Sequence, residues 1–372
     1  MNMLDYLDWR GDITFDERPL NEVDNLIFSE LAYLKMDDLI PDGGVTIARL
    51  HADFIAAGYG PSPLVNDPLP LLEKLAASER FRNVTVRGFI NRIDCEKQAQ
   101  FSAVTFCYRE GEVYIAFRGT DDTLVGWRED MNFSFLNETP GQSEAVAYLN
   151  RAARELSGTL TVGGHSKGGN FAVYAAAFCD DSVRSRIVRV YSNDGPGFRS
   201  EIVDTANYQL ILDRTVKIIP ENSLVGILLS DREHRRVITS SGKGVMQHNP
   251  YTWNICGASF VEADERGTAS LFMDDTLHRW VAKLSEDDLR VLVNTVFDTI
   301  EASGASTLNE INTDRHVTYS AILKAAAKID PAARAELGEI IKKLIFSGRD
   351  AMYAETRKSL ERLLPSAPAG DE

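Results

Sequence analysis

The sequence predicts an α/β protein: a mostly parallel sheet flanked by helices, with N-terminal helices and an additional helical C-terminal region. Two observations carry that reading. Short apolar runs of strand length alternate with helix-patterned stretches across residues 120–240, as parallel sheets with helical crossovers require. Just before them, three strand-like runs (84–93, 102–108 and 113–117) follow one another with turn-length gaps, so the sheet opens antiparallel. The stretch that organises the rest is 160–179, LTVGGHSKGGNFAVYAAAFC, in which a short strand passes through glycine-flanked Ser166 into a small-residue helix.

In chain order, residues 1–18 read as an irregular leader. Val23, Leu26, Ile27, Leu31 and Leu34 then repeat at helical spacing behind Asn21, a suitable N-cap. Residues 45–57 and 69–77 read as further helices, separated by a loop rich in turn residues. After the three strands and the hairpin turn at 109–112, helices are expected at 124–133 and 143–156. Strands are expected at 160–162, 187–191, 216–219 and 237–240. Beyond about Gly257 the pattern is helical throughout. Ser285 and Asp288 look like a capped start, and Leu289, Val293, Val296 and Ile300 form a stripe that Leu292 and Phe297 widen. Asp330-Pro331 reads as N-cap and N1 of another helix, and the tail LPSAPAGDE as disordered. These shifts divide the chain into a leader and helical region (1–82), an α/β core (83–256) and a helical C-terminal region (257–372).

The 372 residues suffice for a large core, and 44% apolar with 26% charged residues is ordinary for a soluble globular chain. A net charge of −15 with no basic stripe argues against nucleic-acid partners and against an anionic membrane surface. Cys95, Cys107, Cys179 and Cys256 are scattered, and the expectation is buried free thiols, not disulfides or zinc ligands. The N-terminus lacks a signal-peptide pattern and no run has membrane-spanning length, so a cytoplasmic location is expected.

The chemistry is read from Ser166 outward. A strand-to-helix turn this tight strains the backbone at the serine and leaves no room for side chains two residues away, where Gly164 and Gly168 stand. The helix behind Ser166 offers N–H groups and a positive dipole end to a developing oxyanion. A serine hydroxyl needs a general base. In open α/β sheets that base follows a strand. His234 precedes its strand; His51, His278 and His316 fall on predicted helices; and His165 is aimed away from Ser166 by the turn itself. His248, in the loop after the last strand, remains. The acid that orients it has two candidates at strand ends, Asp194 in the NDGPG turn and Glu221 one strand later, with Asp194 in the better setting. Two oxyanion donors are expected: the amide of Lys167 and, from the loop after residues 113–117, Thr120, with Arg118 tying that loop to Glu129 or Asp130. No metal or organic cofactor is implied.

The segments VYIAFRGTDDTLVGWREDMNFS and TVGGHSKGGNFAVYAA resemble the class 3 (fungal-type) lipase branch of the α/β-hydrolases. The leader DYLDWRGDITF, the turn NDGPGF and the segment QHNPYTW resemble a bacterial set of uncharacterised lipase-like hydrolases. By position the resemblance implies Ser166 as nucleophile, Thr120 as oxyanion-hole residue, and Trp127 and Asp130 as the helix motif. Three departures stand out. Lys167 replaces the usual leucine, PENSLVG replaces the N-D-x-V-P segment that carries the family's acid, and the helical C-terminus is additional. The resulting expectation is a serine hydrolase cleaving a carboxylic ester, lipid and other acyl esters included, through an acyl-enzyme on Ser166. A charged Lys167 at the hole would favour a substrate with a negative group. The other class is a catalytically silent binding or scaffold protein using its C-terminal helices.

Overall fold

In a computed structural model of the protein, the residues described are 1–60, 68–121, 123–267, 270–271, 285–301 and 307. Eight strands form one sheet in sequential order: β1 (Val45–Thr46), β2 (Thr85–Asp94), β3 (Ala99–Arg109), β4 (Glu112–Phe117), β5 (Thr159–His165), β6 (Ile187–Asn193), β7 (Thr215–Pro220) and β8 (His234–Ile238). β1 to β4 pair antiparallel, joined where possible by hairpins such as the one between β3 and β4. From β4 to β8 every pairing is parallel, and this half is the frame of an α/β-hydrolase.

Strand alternation sorts the core into two faces. Tyr114 and Ala116 of β4, with Val104 and Phe106 of β3, pack beneath α1 (Met3–Arg10), α2 (Glu22–Leu31), α3 (Ile47–Ala56) and α4 (Leu69–Ala77). Val113, Ile115 and Phe117, with Phe101 and Ala103, pack beneath α6 (Pro140–Glu155) and α7 (Lys167–Phe178). The small residues of α7 explain its place: Ala172, Ala175, Ala176 and Ala177 are all fully buried. α5 (Leu124–Asn132) follows β4 and meets the Glu286–Glu301 helix, with Leu289, Val293 and Phe297 against Leu124 and Phe135. Arg128 of α5 fastens that helix through Asp298 at 2.9 Å and Asn294 at 2.8 Å.

Several sequence expectations change. The leader is not irregular: Asn2 caps α1 in a capping box, and Met3 and Tyr6 are fully buried. Residues 45–46 are a strand pairing with β2, so the helix expected at 45–57 begins only at Ile47. α6 starts at Pro140, three residues early, because Thr139 and Gln142 form the cap. β5 extends to His165 and β8 begins at His234 itself. The helical reading after Gly257 misses a short hairpin, Ile255–Cys256 with Ser259–Phe260. Ser285 and Asp288 do cap the Glu286–Glu301 helix. The helix expected at Asp330, the tail and the side chain of Leu292 lie outside the described residues. All four cysteines are free but only Cys179 is buried; Cys95 and Cys256 are exposed. Among the described residues no helix is long and apolar enough to cross a membrane.

The N-terminal layer is locked by a buried ion pair. Arg80 Nη2 lies 2.6 Å from Asp24 Oδ2 with both side chains fully buried, and Tyr6 donates to Asp24 Oδ1 at 2.9 Å. Removing one partner leaves an uncompensated charge in the core, which costs about 3–5 kcal/mol. Arg80→Met is therefore expected to lower stability by roughly that amount in urea unfolding, and a loss below about 1 kcal/mol would show that the pair does not hold the layer.

Candidate active site

Ser166 stands between β5 and α7 with φ 58° and ψ −131°, a conformation that costs a non-glycine residue about 1–3 kcal/mol. Its neighbours make the turn possible. A Cβ at Gly168 would stand 2.0 Å from the Phe117 carbonyl oxygen, and one at Gly164 would stand 2.4 Å from the Gly168 backbone. Only glycines let β4, β5 and α7 close this tightly. The Ser166 amide donates to the Asn193 carbonyl at 2.9 Å, pinning the turn to the end of β6.

β6 ends at Asn193, and the next residue, Asp194, takes a left-handed conformation, φ 50°, which Asp tolerates better than most side chains. Its amide donates to Ile218 of β7 at 2.8 Å, and its carboxylate is fully buried. Oδ2 lies 2.6 Å from His248 Nδ1. Oδ1 accepts from the Ser223 hydroxyl and, at 3.2 Å, from the Gly226 amide. The carboxylate thus accepts on both oxygens, and a neutral imidazole that bonds it does so through a protonated Nδ1. Ser223 and Gly226 belong to the segment PENSLVG, where the lipase pattern has its acid; here that segment supplies donors to an acid one strand earlier.

His248 sits in the loop after β8, its side chain 29% exposed, at the end of a 3₁₀ turn, Gly244–His248. The residues around it are anchors. Gln247 accepts from the Asn222 amide at 2.8 Å, and the fully buried Trp253 donates its indole N–H to the Gln247 carbonyl at 2.8 Å. His165 Nε2 lies 2.9 Å from the His248 carbonyl, and the two imidazole rings are 4.6 Å apart. Among the described residues no hydrogen bond or ion pair joins the Glu221 carboxylate to His248; the carboxylate there is that of Asp194.

Thr120 follows β4, whose Phe117 pairs with Gly164, so the loop and the Ser166 turn stand side by side. A Cβ at Gly119 would be 3.0 Å from the Ser166 Cβ and 2.1 Å from the Tyr33 hydroxyl. Thr120 Oγ1 donates to Asp130 Oδ2. Burial pushes the Asp130 carboxyl up to about 6; Lys167 and the Thr120 hydroxyl pull against that rise, Glu129 adds to it, and His248 pulls against it. Arg118 pairs with Asp121 at 3.1 Å and donates to Asn91, not to Glu129 or Asp130 as its sequence position suggested.

Lys167 departs furthest from expectation. Its amide heads α7, but its ammonium turns inward and is fully buried, 3.1 Å from Glu129 Oε2 and 3.8 Å from Asp130 Oδ1. It therefore offers no free charge to a substrate anion. Glu129 in turn accepts from the amides of Gln100 and Gly141 at 3.0 and 2.8 Å, binding α5, α6 and β3 together. α2 and the turn after it supply a second set of groups that no local sequence signal singles out. Asn25 and Ser29 bond Asn193 beneath the turn, and Glu30 and Tyr33 face His165. Helical periodicity alone marks such residues as a polar edge.

A mixed eight-stranded sheet, parallel from β4 to β8 and flanked by helices, defines an α/β-hydrolase fold. Residues 75–298 match the Mbeg1-like family, and the chain belongs to that family. Among solved structures it is similar to M37 lipase (16% identity, TM-score 0.33, covering 54% of this chain and 68% of the lipase). It is also similar to the Rhizomucor miehei lipase propeptide complex (14%, 0.38, covering 68% and 76%) and to a fungal lipase–inhibitor complex (12%, 0.34, covering 54% and 72%). No curated protein matches the chain.

Two predictions follow from the buried charges. Lys167→Met strands Glu129 and is expected to destabilise by about 3–5 kcal/mol. Adding Glu129→Gln should recover at least about 1 kcal/mol in a double-mutant cycle; additive losses would mean the pair is not coupled. Glu30, whose carboxyl burial pushes up to about 8 from 4.5, keeps its proton in the folded state where the unfolded chain has lost it. Stability should then fall as pH rises between those two values. Urea unfolding across that window should show a flatter slope in Glu30→Gln, and an unchanged slope would place the carboxylate form in the folded state.

Proposed function

We propose that the protein is a serine hydrolase that cleaves a carboxylic ester through an acyl-enzyme on Ser166. The observation that carries this reading is the 2.6 Å contact between His248 Nδ1 and the buried Asp194 carboxylate, on a loop clamped beside the strained turn of Ser166. Ser166 Oγ attacks the ester carbonyl while His248 Nε2 takes its proton. Asp194 holds the tautomer and stabilises the imidazolium that forms. The carbonyl oxygen, now negative, is received by the amides of Lys167 and Thr120, with the Thr120 hydroxyl oriented by Asp130. Collapse expels the alcohol with the His248 proton. Water, deprotonated by the same nitrogen, then releases the acid.

Ester chemistry of acyl type suits the rim of the site. Trp127 and Met131, one turn apart on α5, are 39% and 43% exposed beside the residue that orients Thr120. Such a pair offers an apolar strip to a chain leaving the carbonyl. The buried ammonium of Lys167 removes the reason for expecting an anionic group there.

A fluorophosphonate probe is expected to label the wild-type protein at Ser166 and not Ser166→Ala; an unlabelled, folded wild type would sink the enzyme reading. With p-nitrophenyl esters, His248→Ala and Asp194→Asn should each lower turnover by about 10³–10⁴ and Glu221→Gln by little. Thr120→Val, which keeps the amide donor and removes only the hydroxyl held by Asp130, should cost well below the roughly 10²–10³ of a lost hole donor. A large loss in Glu221→Gln with a small one in Asp194→Asn would reassign the acid. Turnover should rise from acetate to octanoate esters if the Trp127–Met131 strip receives the chain.

A further inference from the structure

Glu30 lies in the last turn of α2 with no function in the scheme above, yet it is part of the same cluster. Its side chain is 2% exposed, Oε1 has no hydrogen-bond partner among the described residues, and that oxygen is 3.3 Å from His165 Nδ1. On the far side of the same ring, Nε2 is 2.9 Å from the His248 carbonyl. A carbonyl only accepts, so Nε2 carries the proton, and a neutral ring then has a bare Nδ1. An ionised carboxylate facing that nitrogen would set two acceptors against each other. A carboxylic acid facing it sets a donor against an acceptor.

We propose that Glu30 acts as a carboxylic acid and is a positioning residue for His248. Its proton faces His165 Nδ1, which keeps the His165 proton on Nε2, and that N–H holds the backbone of the residue whose imidazole rests on Asp194. The consequence for turnover rests on the serine-hydrolase reading; the proton arrangement does not.

The surroundings favour the neutral pair over carboxylate with imidazolium. The groups facing it are Tyr33 from the same chain segment, 3.3 Å from Nδ1, His165 from the Ser166 turn and His248 from the loop after β8. Arg118 and Asp130 act on the Tyr33 hydroxyl beyond it. None of these places a cation on Glu30. Burial holds the His165 imidazole well below its ordinary value, His248 adding to the effect, and burial alone raises the Glu30 carboxyl. When Glu30 ionises in alkali, Nδ1 becomes the better place for the His165 proton. Nε2 then loses its hold on the His248 carbonyl.

The test is imidazole NMR on full-length ¹⁵N-histidine-labelled protein, wild type and Glu30→Gln, from pH 6 to 10, with fluorophosphonate labelling rates in parallel. At pH 7 the expected wild-type His165 has a protonated Nε2 and a bare Nδ1. Its resonances should shift near pH 8, and labelling should fall by about tenfold over the same step, part of the roughly 10²–10⁴ that a positioned base supplies. In Glu30→Gln, whose amide still donates, both transitions should vanish. Glu30→Ala should label slowly at every pH. The proposal is overturned by a His165 that carries its proton on Nδ1 or on both nitrogens at pH 7, which wild-type spectra decide alone should the variants not fold. It is equally overturned by an alkaline transition that persists in Glu30→Gln. The expected tautomer in a wild-type protein that does not label at all would uphold Glu30's role and reject the hydrolase reading.

Discussion

The site depends on one backbone conformation, that of Ser166 at φ 58° and ψ −131°. An L-residue does not hold such angles unaided, so the cost of about 1–3 kcal/mol must be met by what surrounds it. Packing meets it here. Phe117 of β4 lies against Gly168 of α7, Gly164 of β5 lies between them, and the Ser166 amide is tied to β6. Two buried side-chain assemblies then fix the pieces on either side. Asn25, Ser29 and Asn193 join α2 to the strand ends, and Lys167 with Glu129 joins the turn to α5.

From that constraint the rest of the cluster follows. The strand ends of β4, β5 and β6 lie next to one another, so the residues just beyond them (Thr120, Ser166, Asp194) must converge. His248 comes from further along the chain and needs separate fastening. It has three anchors: Gln247 on Asn222, Trp253 in the core, and its own carbonyl on His165. The histidine beside the serine therefore helps position the loop that carries His248.

How much of this was legible in the sequence depends on the range of the interaction. The central strands, α2, α4 and the elbow could be read because apolar period and turn residues are local signals, and Ser166 is marked by glycines two residues away on each side. Asp194 is preferred over Glu221 only on its turn, because the Ser223 hydroxyl and the Gly226 amide that bond its carboxylate reach back across a strand. The sequence also misled at Lys167, where a cation beside a serine reads as exposed until Glu129 is seen at 3.1 Å. Glu30 and Tyr33 were illegible for the same reason: their partner, His165, is 135 and 132 positions away (165 − 30 and 165 − 33). The leader is the exception: Asn2 and Asp5 stand at capping-box spacing and Met3, Tyr6 and Leu7 at helical spacing, local signals that an irregular reading overlooks.

The most direct measurement is a crystal structure of the protein after reaction with diethyl p-nitrophenyl phosphate. The expected adduct carries a diethyl phosphoryl group on Ser166 Oγ, its phosphoryl oxygen on the amides of Lys167 and Thr120, and His248 Nε2 facing the ester oxygens with Nδ1 still on Asp194. An unmodified Ser166, or an adduct whose oxygen points away from both amides, would contradict it.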